Sequence, residues 1–139
     1  MALHLIKLCV GVDSLRELED WLKQKRRSAK PAEHVHVTRM MPRRAEELLD
    51  GGSLYWVIKG AIQARQRLVE IRHLTDSEGL SRAGLVLEPV PVPTHWRPRR
   101  PFQGWRYLSA KDAPADLAAG DEAEMPEALR AELAALGLL

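Results

Sequence analysis

The chain has 139 residues, 45% of them hydrophobic and 29% charged, with a formal net charge of +2, which is typical of one ordinary globular domain. No apolar run approaches the roughly 18 residues of a membrane span, the lone Cys9 excludes an intrachain disulfide, and the N-terminus lacks the basic start and cleavage site of a signal peptide, so we expect a cytoplasmic protein without a membrane partner. Residues 1–110 carry a net +7 and residues 111–139 a net −5; this pattern indicates nucleic-acid binding, with a solvated surface of mixed charge as the alternative.

The first half of the chain predicts two strands and two helices. Residues 3–10 form a strand with two apolar faces, so we expect a central strand that holds Cys9 as a small buried hydrophobe. An amphipathic pattern over residues 14–27, with Asp13 as N-cap, predicts a helix. Residues 34–40 alternate like a strand. A short helix is predicted over residues 42–49, with Leu48 and Leu49 packing inward.

The second half of the chain predicts strands and turns. Residues 53–58 are strongly β-prone, and Lys59-Gly60 marks a turn. The apolar phase slips within a long strand at residues 62–74, so we expect a β-bulge near residues 65–68. A turn at residues 76–79 and a strand at residues 83–90 follow. Five prolines between residues 89 and 101 then predict an extended, irregular path, and residues 105–108 form a short closing strand.

These elements indicate an α+β fold, because helices come early and a run of strands follows. We expect a small, curled, mostly antiparallel sheet or barrel with two N-terminal helices and a C-terminal tail helix. The globular domain is predicted to occupy residues 1–110. Residues 111–139 are predicted to form an acidic linker rich in Ala and Pro, then a terminal helix with a narrow apolar face of Leu129, Leu133 and Leu136.

Four strings of residues carry a family resemblance: LHLIKLCVG at residues 3–11, ELLDGGSLYWVIKG at 47–60, RQRL at 65–68 and RPRRPFQGWRYL at 97–108. They resemble the bacterial family of unknown function numbered 1489, over residues 1 to about 115. That resemblance implies no activity. The short helix, Gly-Gly turn, aromatic strand and basic strand also resemble the PUA-like superfamily with its ASCH and EVE branches. This second resemblance implies a small barrel that binds RNA or modified nucleobases, and Gly60 through Arg72 echoes the Gly-x-Lys-x-x-Glu-x-Arg element of the ASCH branch with longer spacing.

Arginine and aromatic residues are concentrated in residues 96–107, which hold four Arg, two Trp, one Phe and one Tyr. Guanidinium groups bind phosphates in a planar fork, and aromatic faces stack on unpaired bases. The segment therefore predicts a ligand-binding surface. In the alternative, Phe102 and Trp105 are core anchors beneath solvent-reaching arginines. The predicted ligand contacts are Arg97, Arg99, Arg100, Arg106, Gln103 and Trp105, with Trp56 from the aromatic strand.

Two further arginine pairs are candidate anion sites. Arg65 and Arg67 lie on one face of a predicted strand about 7 Å apart, a spacing that suits one shared anion. Arg43 and Arg44, with Arg39 on the other side of Pro42, stand at a helix start, where unpaired amide groups favour anions. In the alternative, these arginines are neutralised by acidic side chains, of which the candidates are Glu46, Glu47 and Glu88.

Catalytic and metal-binding patterns are sparse. His34-x-His36 places two imidazoles on one strand face, a spacing that can chelate a metal, but no third ligand stands at a diagnostic spacing, so we expect no metal and no cofactor. The Gly-x-Ser-x-Gly, Walker and dinucleotide motifs are missing. Glu70, which lies among arginines, is the candidate general acid or base. The candidate third ligands are His4, His73, His95, Glu70 and Cys9.

We therefore interpret the chain as a noncatalytic module that binds RNA or a nucleotide-like anion through its Arg/aromatic surface. A small enzyme that acts on a nucleoside-like substrate with Glu70 as acid or base is one alternative. A protein-interaction domain that uses the C-terminal helix is another, and a homo-oligomer is left open. The decisive observation is whether the arginines of residues 97–106 meet Arg65 and Arg67 on one concave face.

Overall fold

The computed structural model describes residues 2–28 and 34–117, with only the backbone of residues 25–28. Seven strands and two helices form in these residues. The predicted terminal helix, most of the predicted linker and residues 29–33 lie outside them. The elements are β1 (Leu3–Leu8), α1 (Leu15–Ser28), β2 (His34–Thr38), α2 (Ala45–Leu49), β3 (Ser53–Ile58), β4 (Ala61–Thr75), β5 (Ser81–Leu87), β6 (Val92–Pro98) and β7 (Trp105–Ser109).

The strands form one mixed sheet in the order β2-β5-β4-β3-β1-β7, with β6 paired to β4 off this path. β1 and β3 are parallel, and the other strand pairs in the described residues are antiparallel. The α+β class, the mostly antiparallel sheet and the two N-terminal helices are thereby confirmed. The sheet is open, because within the described residues β2 and β7 each pair with a single strand. The closed barrel implied by the PUA-like resemblance is therefore wrong for this part of the chain.

The long strand β4 joins two halves of the sheet. Its first half pairs with β3 and β6, and its second half pairs with β5. Register shifts skip Gln63 opposite β3 and Val69 opposite β5, so two β-bulges flank the single one expected at residues 65–68. A break in the alternation of apolar residues indicates that a strand contains an inserted residue. The position of the bulge also depends on the pairing with the neighbouring strand, which the sequence of β4 alone does not show.

Two apolar clusters cover the two faces of the sheet. The larger contains Leu5, Leu54 and Trp56 and packs under the helix residues Leu18 and Leu48. The smaller contains Ile6, Tyr55, Val57, Ile62 and Leu108, with Phe102 and Ala113 packed against it. Because both faces are covered, all six residues of β3 are buried. β1 lies between β3 and β7, as its two apolar faces predicted.

The proline-rich segment contains a strand that the sequence analysis did not predict. β6 pairs with β4 on one side, and on its other side the His95 N–H donates to Ala115 O while the Leu117 N–H donates to Pro93 O, both at 2.9 Å. Pro93 thus takes part through its carbonyl, the group that proline retains. Residues 115–117 therefore pack on the sheet, although the sequence placed them in a linker.

The helices begin and pack slightly differently from expectation. The Glu17 N–H donates to Ser14 Oγ at 3.2 Å, and the Asp13 N–H donates to the Glu17 carboxylate at 3.0 Å. Ser14 is therefore the cap, one residue after the predicted Asp13, in an arrangement close to a capping box. Leu48 is buried as predicted, but Leu49 is exposed, because adjacent helical positions point about 100° apart. Neither described helix is long and apolar enough to cross a membrane.

Candidate anion-binding groove

Two neighbouring cavities, here together called the groove, lie between β1, β2 and the start of β7. The inner cavity, about 550 Å³, lies between the end of β1, α1 and β2, with Trp21, His36 and Trp56 among its walls. The outer cavity, about 570 Å³, lies between the chain after β2 and the start of β7 and includes Arg39 and Trp105. Lys7 and Val37 line both cavities, so the two cavities adjoin at these side chains.

Lys7 lies between two tryptophans on the groove face of the sheet. It is the register partner of Trp56 on β3 and of Trp105 on β7, and directly opposed residues on neighbouring strands share a face. Trp56 is almost fully buried, whereas the Trp105 indole is partly exposed and donates Nε1–H to Met40 O at 2.8 Å. The structure thus brings the two predicted tryptophans into one site and adds Lys7 between them.

Gln66 fixes the orientation of two groove side chains. The Trp56 indole, which can only donate, gives Nε1–H to Gln66 Oε1 at 2.8 Å. The Gln66 amide therefore directs Nε2 to Glu88 O at 2.8 Å and to His34 Nδ1 at 3.0 Å. Since Nε2 donates, His34 Nδ1 accepts, and the neutral imidazole carries its proton on Nε2. The fully buried Gln66 thus fixes the orientation of the Trp56 indole and the tautomer of His34.

Aromatic edges and a protonated thiol complete the inner cavity. His36 packs edge-on against Trp56 with ring centroids 5.1 Å apart, and Trp21 packs edge-on against His34 at 5.2 Å. Burial raises the pKa of Cys9 to about 11, so its sulfur is a neutral thiol at physiological pH. The inner cavity therefore offers aromatic faces and a neutral thiol, together with the charged side chains of Lys7 and Glu17. Cys9 is only partly buried, whereas the sequence analysis expected it to be buried.

Lys7 supplies positive charge at the junction of the two cavities. Within the described residues it forms no ion pair with an acidic side chain, and burial lowers its pKa below the ordinary value. Glu17 lines the inner cavity, but its carboxylate accepts the Asp13 N–H. A partly desolvated ammonium group without a carboxylate gains most from a bound anion.

Arg65 and Arg67 lie on the other face of the sheet and are neutralised within the fold. Arg65 donates Nε and Nη2 to the Asp116 carboxylate, both at 2.8 Å, and Nη1 to Ser53 Oγ at 3.0 Å. This pair raises the pKa of Arg65 and lowers that of Asp116. Arg67 pairs with Glu88 at 3.0 Å, the alternative that the sequence analysis had left open. The structure does not bring these arginines into the groove.

The backbone of Arg43 and Arg44 contacts β7 through the side chain of Tyr107. The Tyr107 hydroxyl accepts both backbone N–H groups, at 3.1 and 3.2 Å, so the amides expected to bind an anion are occupied. The Arg44 guanidinium lies 5.5 Å from the Tyr107 ring centroid and pairs with Glu47. This pair was also a stated alternative, and it leaves Arg44 committed to the fold.

Three of the four arginines of the Arg/aromatic segment, Arg99, Arg100 and Arg106, line a separate cavity of about 590 Å³, here called the edge cavity, together with Phe102. Arg106 and Arg65 occupy one register row on one face, but Tyr55 and Ile6 stand between them, which corresponds to three strand spacings of about 4.8 Å. Arg106 and Arg65 therefore share a face without meeting. Arg97 is exposed on β6, and Gln103 lines the outer cavity.

Glu70 and the histidine pair form no catalytic or metal centre in the described residues. Glu70 faces solvent, pairs with Arg72 at 3.0 Å and lines none of the three cavities above. A general acid or base in a pocket, as the enzyme alternative requires, is therefore not found at Glu70. In residues 2–28 and 34–117, no three side chains of His, Cys, Asp or Glu come close enough to hold a metal ion.

The comparisons with known proteins give a family and no activity. The family model described as "Protein of unknown function (DUF1489)" matches residues 5–139. The chain belongs to this family. The match confirms the resemblance carried by the four strings and extends it to the end of the chain. No curated protein and no solved structure is significantly similar to the chain, so nothing supports the PUA-like resemblance.

A buried histidine in this DUF1489 domain predicts acid sensitivity. His4 Nδ1 accepts the Ser53 N–H at 3.0 Å, and burial, with Arg65 nearby, lowers the pKa of His4. Below the unfolded-state pKa of about 6.5, the unfolded chain binds more protons, so stability falls as pH falls, by at most about 1.4 kcal/mol per pH unit. Urea unfolding from pH 7.5 to 5 measures this loss.

His4→Asn is the matched variant, because its side-chain oxygen can accept the Ser53 N–H without titrating. We expect its stability to decline less than that of the wild type between pH 7.5 and 5. Equal slopes for the two proteins would show that His4 does not contribute to the acid sensitivity.

The sequence analysis of the DUF1489 domain gave no role to the groove residues Lys7 and Gln66, and it considered His34 and His36 only as metal ligands. It did place Arg39 in a candidate anion site, with Arg43 and Arg44, and Arg39 lines the outer cavity. The available signal was the charge of Lys7 within an otherwise apolar strand, LHLIKL. A charged side chain on a central strand loses hydration, and this loss of free energy must be offset by a partner group. The charge of Lys7 in this strand therefore indicates a candidate binding site.

Proposed function

We propose that this DUF1489 domain is a noncatalytic binding module for a nucleotide-like anion. In this proposal a planar ring lies in the inner cavity, and the phosphate lies between Lys7 and Arg39 in the outer cavity. The observation that carries the proposal is Lys7, which is partly buried between Trp56 and Trp105 without an acidic partner in the described residues.

The inner cavity has the size and the chemistry for a nucleobase. Its volume of about 550 Å³ falls within the range of small-molecule sites, which are mostly apolar with a few placed polar groups. Trp21, His36 and Trp56 supply aromatic surface, and stacking on an aromatic side chain contributes roughly 1–3 kcal/mol per base. The hydrogen bonds of Gln66 hold Trp56 and His34 in place before the ligand arrives, which reduces the entropic cost of binding.

The outer cavity supplies the charge for a phosphate. Lys7 and Arg39 both line it, and neither forms an ion pair in the described residues. A phosphate at this position stabilises the ammonium form of Lys7 and offsets the burial that lowers its pKa. The groove thus separates an apolar end for a ring from a cationic end for an anion, and Glu70, the candidate acid or base, lies elsewhere.

Replacing Lys7 with methionine is expected to weaken binding of nucleoside monophosphates at least about tenfold. A charge-assisted hydrogen bond contributes about 1.5–3 kcal/mol, and each 1.4 kcal/mol is tenfold in the dissociation constant. Calorimetric titration with AMP, GMP, CMP and UMP measures the effect. The corresponding nucleosides, which lack the anion, should bind wild type and Lys7→Met about equally.

Lys111→Met is the control, because it removes the same charge from an exposed turn after β7. It should bind nucleotides as the wild type does. Failure of the wild-type domain to bind any of the four monophosphates at millimolar concentration would refute the proposal, as would wild-type affinity in Lys7→Met.

A further inference from the structure

A second cationic cavity, the edge cavity, lies on the other side of the edge strand β7 from the groove. Trp105 lines the outer cavity and Arg106 lines the edge cavity, because successive residues of β7 point to opposite faces. The loop before β7 contributes to both, with Gln103 and Gly104 on the groove side and Arg99, Arg100 and Phe102 on the other. Only the width of one edge strand separates the two cavities.

The edge cavity is basic and has no acidic side chain in its wall. Arg99, Arg100 and Arg106 line it together with apolar residues and Tyr107. None of these three arginines forms an ion pair in the described residues, and the Arg106 guanidinium lies 5.1 Å from the centroid of the Phe102 ring. Elsewhere the fold neutralises its arginines with carboxylates, in the pairs Arg44–Glu47, Arg65–Asp116, Arg67–Glu88, Arg72–Glu70 and Arg82–Asp76.

Three guanidinium groups around one cavity repel one another unless an anion lies among them. Their planar forks match phosphate oxygens, and the Phe102 ring, which packs on the smaller apolar cluster, supports the Arg106 guanidinium beside the cavity. β7 forms the sheet edge, and no other strand of the described residues covers its outer side. An extended ligand can therefore pass from the groove, over β7, into the edge cavity.

We infer that the ligand is a single-stranded polynucleotide, with one nucleotide in the groove and the adjoining nucleotides in the edge cavity. This inference rests on the proposed function, because the groove holds one end of the bound segment. Lys7 and Arg39 contact one phosphate, and Arg99, Arg100 and Arg106 contact the following phosphates.

Fluorescence anisotropy with labelled twelve-nucleotide single strands of mixed sequence, one RNA and one DNA, tests the inference against the monophosphate affinities from calorimetry. We expect a twelve-mer to bind at least tenfold more tightly than a monophosphate. The double variant Arg99→Gln, Arg100→Gln should lower the twelve-mer affinity at least tenfold and leave the monophosphate affinity unchanged. It should also reduce the slope of log K against log salt by about 1.4, since two phosphate contacts are lost.

The control is Arg67→Gln, Arg72→Gln, which removes the same charge from two arginines paired with Glu88 and Glu70. It should bind the twelve-mers as the wild type does, and thermal melting should show that both double variants are folded. Tight binding of either twelve-mer supports the inference, and a difference in affinity between RNA and DNA identifies the preferred polymer.

Other outcomes overturn the inference and are distinguishable from failure of the proposed function. If monophosphates bind but the twelve-mers bind no more tightly, the groove takes free nucleotides and the inference fails alone. If the twelve-mers bind equally well to Lys7→Met, no nucleotide enters the groove. If heparin competes as effectively as unlabelled RNA at equal charge, the edge cavity is a general polyanion surface and not a polynucleotide site.

Discussion

Gln66→Leu is expected to lower the free energy of unfolding by roughly 3–6 kcal/mol. The glutamine is fully buried and serves the Trp56 indole, His34 Nδ1 and Glu88 O. Leucine fills a similar volume but leaves these three groups without their partner, at roughly 1–2 kcal/mol each, the lower part of the range for an unsatisfied buried group. Urea unfolding followed by tryptophan fluorescence measures the loss. Gln103→Leu is the matched control, because Gln103 is exposed, and it should change stability by less than about 0.5 kcal/mol.

Gln66→Glu tests the same network if the leucine variant does not fold. The carboxylate still accepts from Trp56 but faces the accepting His34 Nδ1 and Glu88 O. A hydrogen bond between the new carboxyl group and His34 then requires that one of the two bind a proton. Because the folded variant binds this proton, its stability relative to wild type should be greater at pH 5.5 than at pH 8. A pH-independent difference would mean that Gln66 and His34 are not coupled.

Gly52→Ala is expected to destabilise the domain by at least about 3 kcal/mol or to prevent folding. Gly52 donates its N–H to Leu48 O at 2.9 Å, and its carbonyl accepts from the Leu68 N–H at 3.0 Å. A β-carbon at this position would overlap the carbonyl oxygens of Leu48 and Leu3. Both obstacles are backbone atoms, so neither can rotate away, and α2 or β1 would have to move. Such overpacking costs about 1–3 kcal/mol even where side chains can adapt.

Gly51→Ala is the neighbouring control. Gly51 has a φ of +86° and open space around its missing side chain, so alanine there costs only the left-handed backbone penalty, about 1–2 kcal/mol. Urea unfolding of the two variants should rank Gly52→Ala as clearly less stable. The reverse order would mean that α2, β1 and β3 do not meet at Gly52 as described.

Parts of the candidate site were predictable from short stretches of sequence. Trp56 and Trp105 were predicted as ligand contacts because they stand in an aromatic strand and an Arg/aromatic segment, and both line the groove. The central role of Lys7 was not predictable, because its neighbours Trp56 and Trp105 lie 49 and 98 residues away along the chain. Only the parallel pairing of β1 with β3 and the antiparallel pairing with β7 place the three residues in one row.

The partners of the arginines also depended on distant segments. Arg65 pairs with Asp116, 51 residues away, from a segment that the sequence analysis assigned to a linker. That segment is held by its hydrogen bonds to β6. The sequence analysis did not predict β6 as a strand because of its prolines. Because the sequence analysis did not predict β6, it could not predict that Asp116 lies beside Arg65, and it assigned Arg65 to an anion site. Arg44 pairs with Glu47 within one helical turn, and this local pair was among the alternatives considered.

Local patterns along the chain were sufficient for the α+β class, most strand and helix positions, the turn at Lys59-Gly60 and the apolar setting of Cys9. Alternation, amphipathic periodicity and turn chemistry act over a few residues, so they can be read without knowing the fold. Sheet order, the two bulges of β4 and the division between neutralised and unneutralised arginines were decided only in the tertiary structure. These features depend on which distant backbone and carboxylate groups meet, because hydrogen bonds and ion pairs form over a few ångströms in space, whatever the separation along the chain.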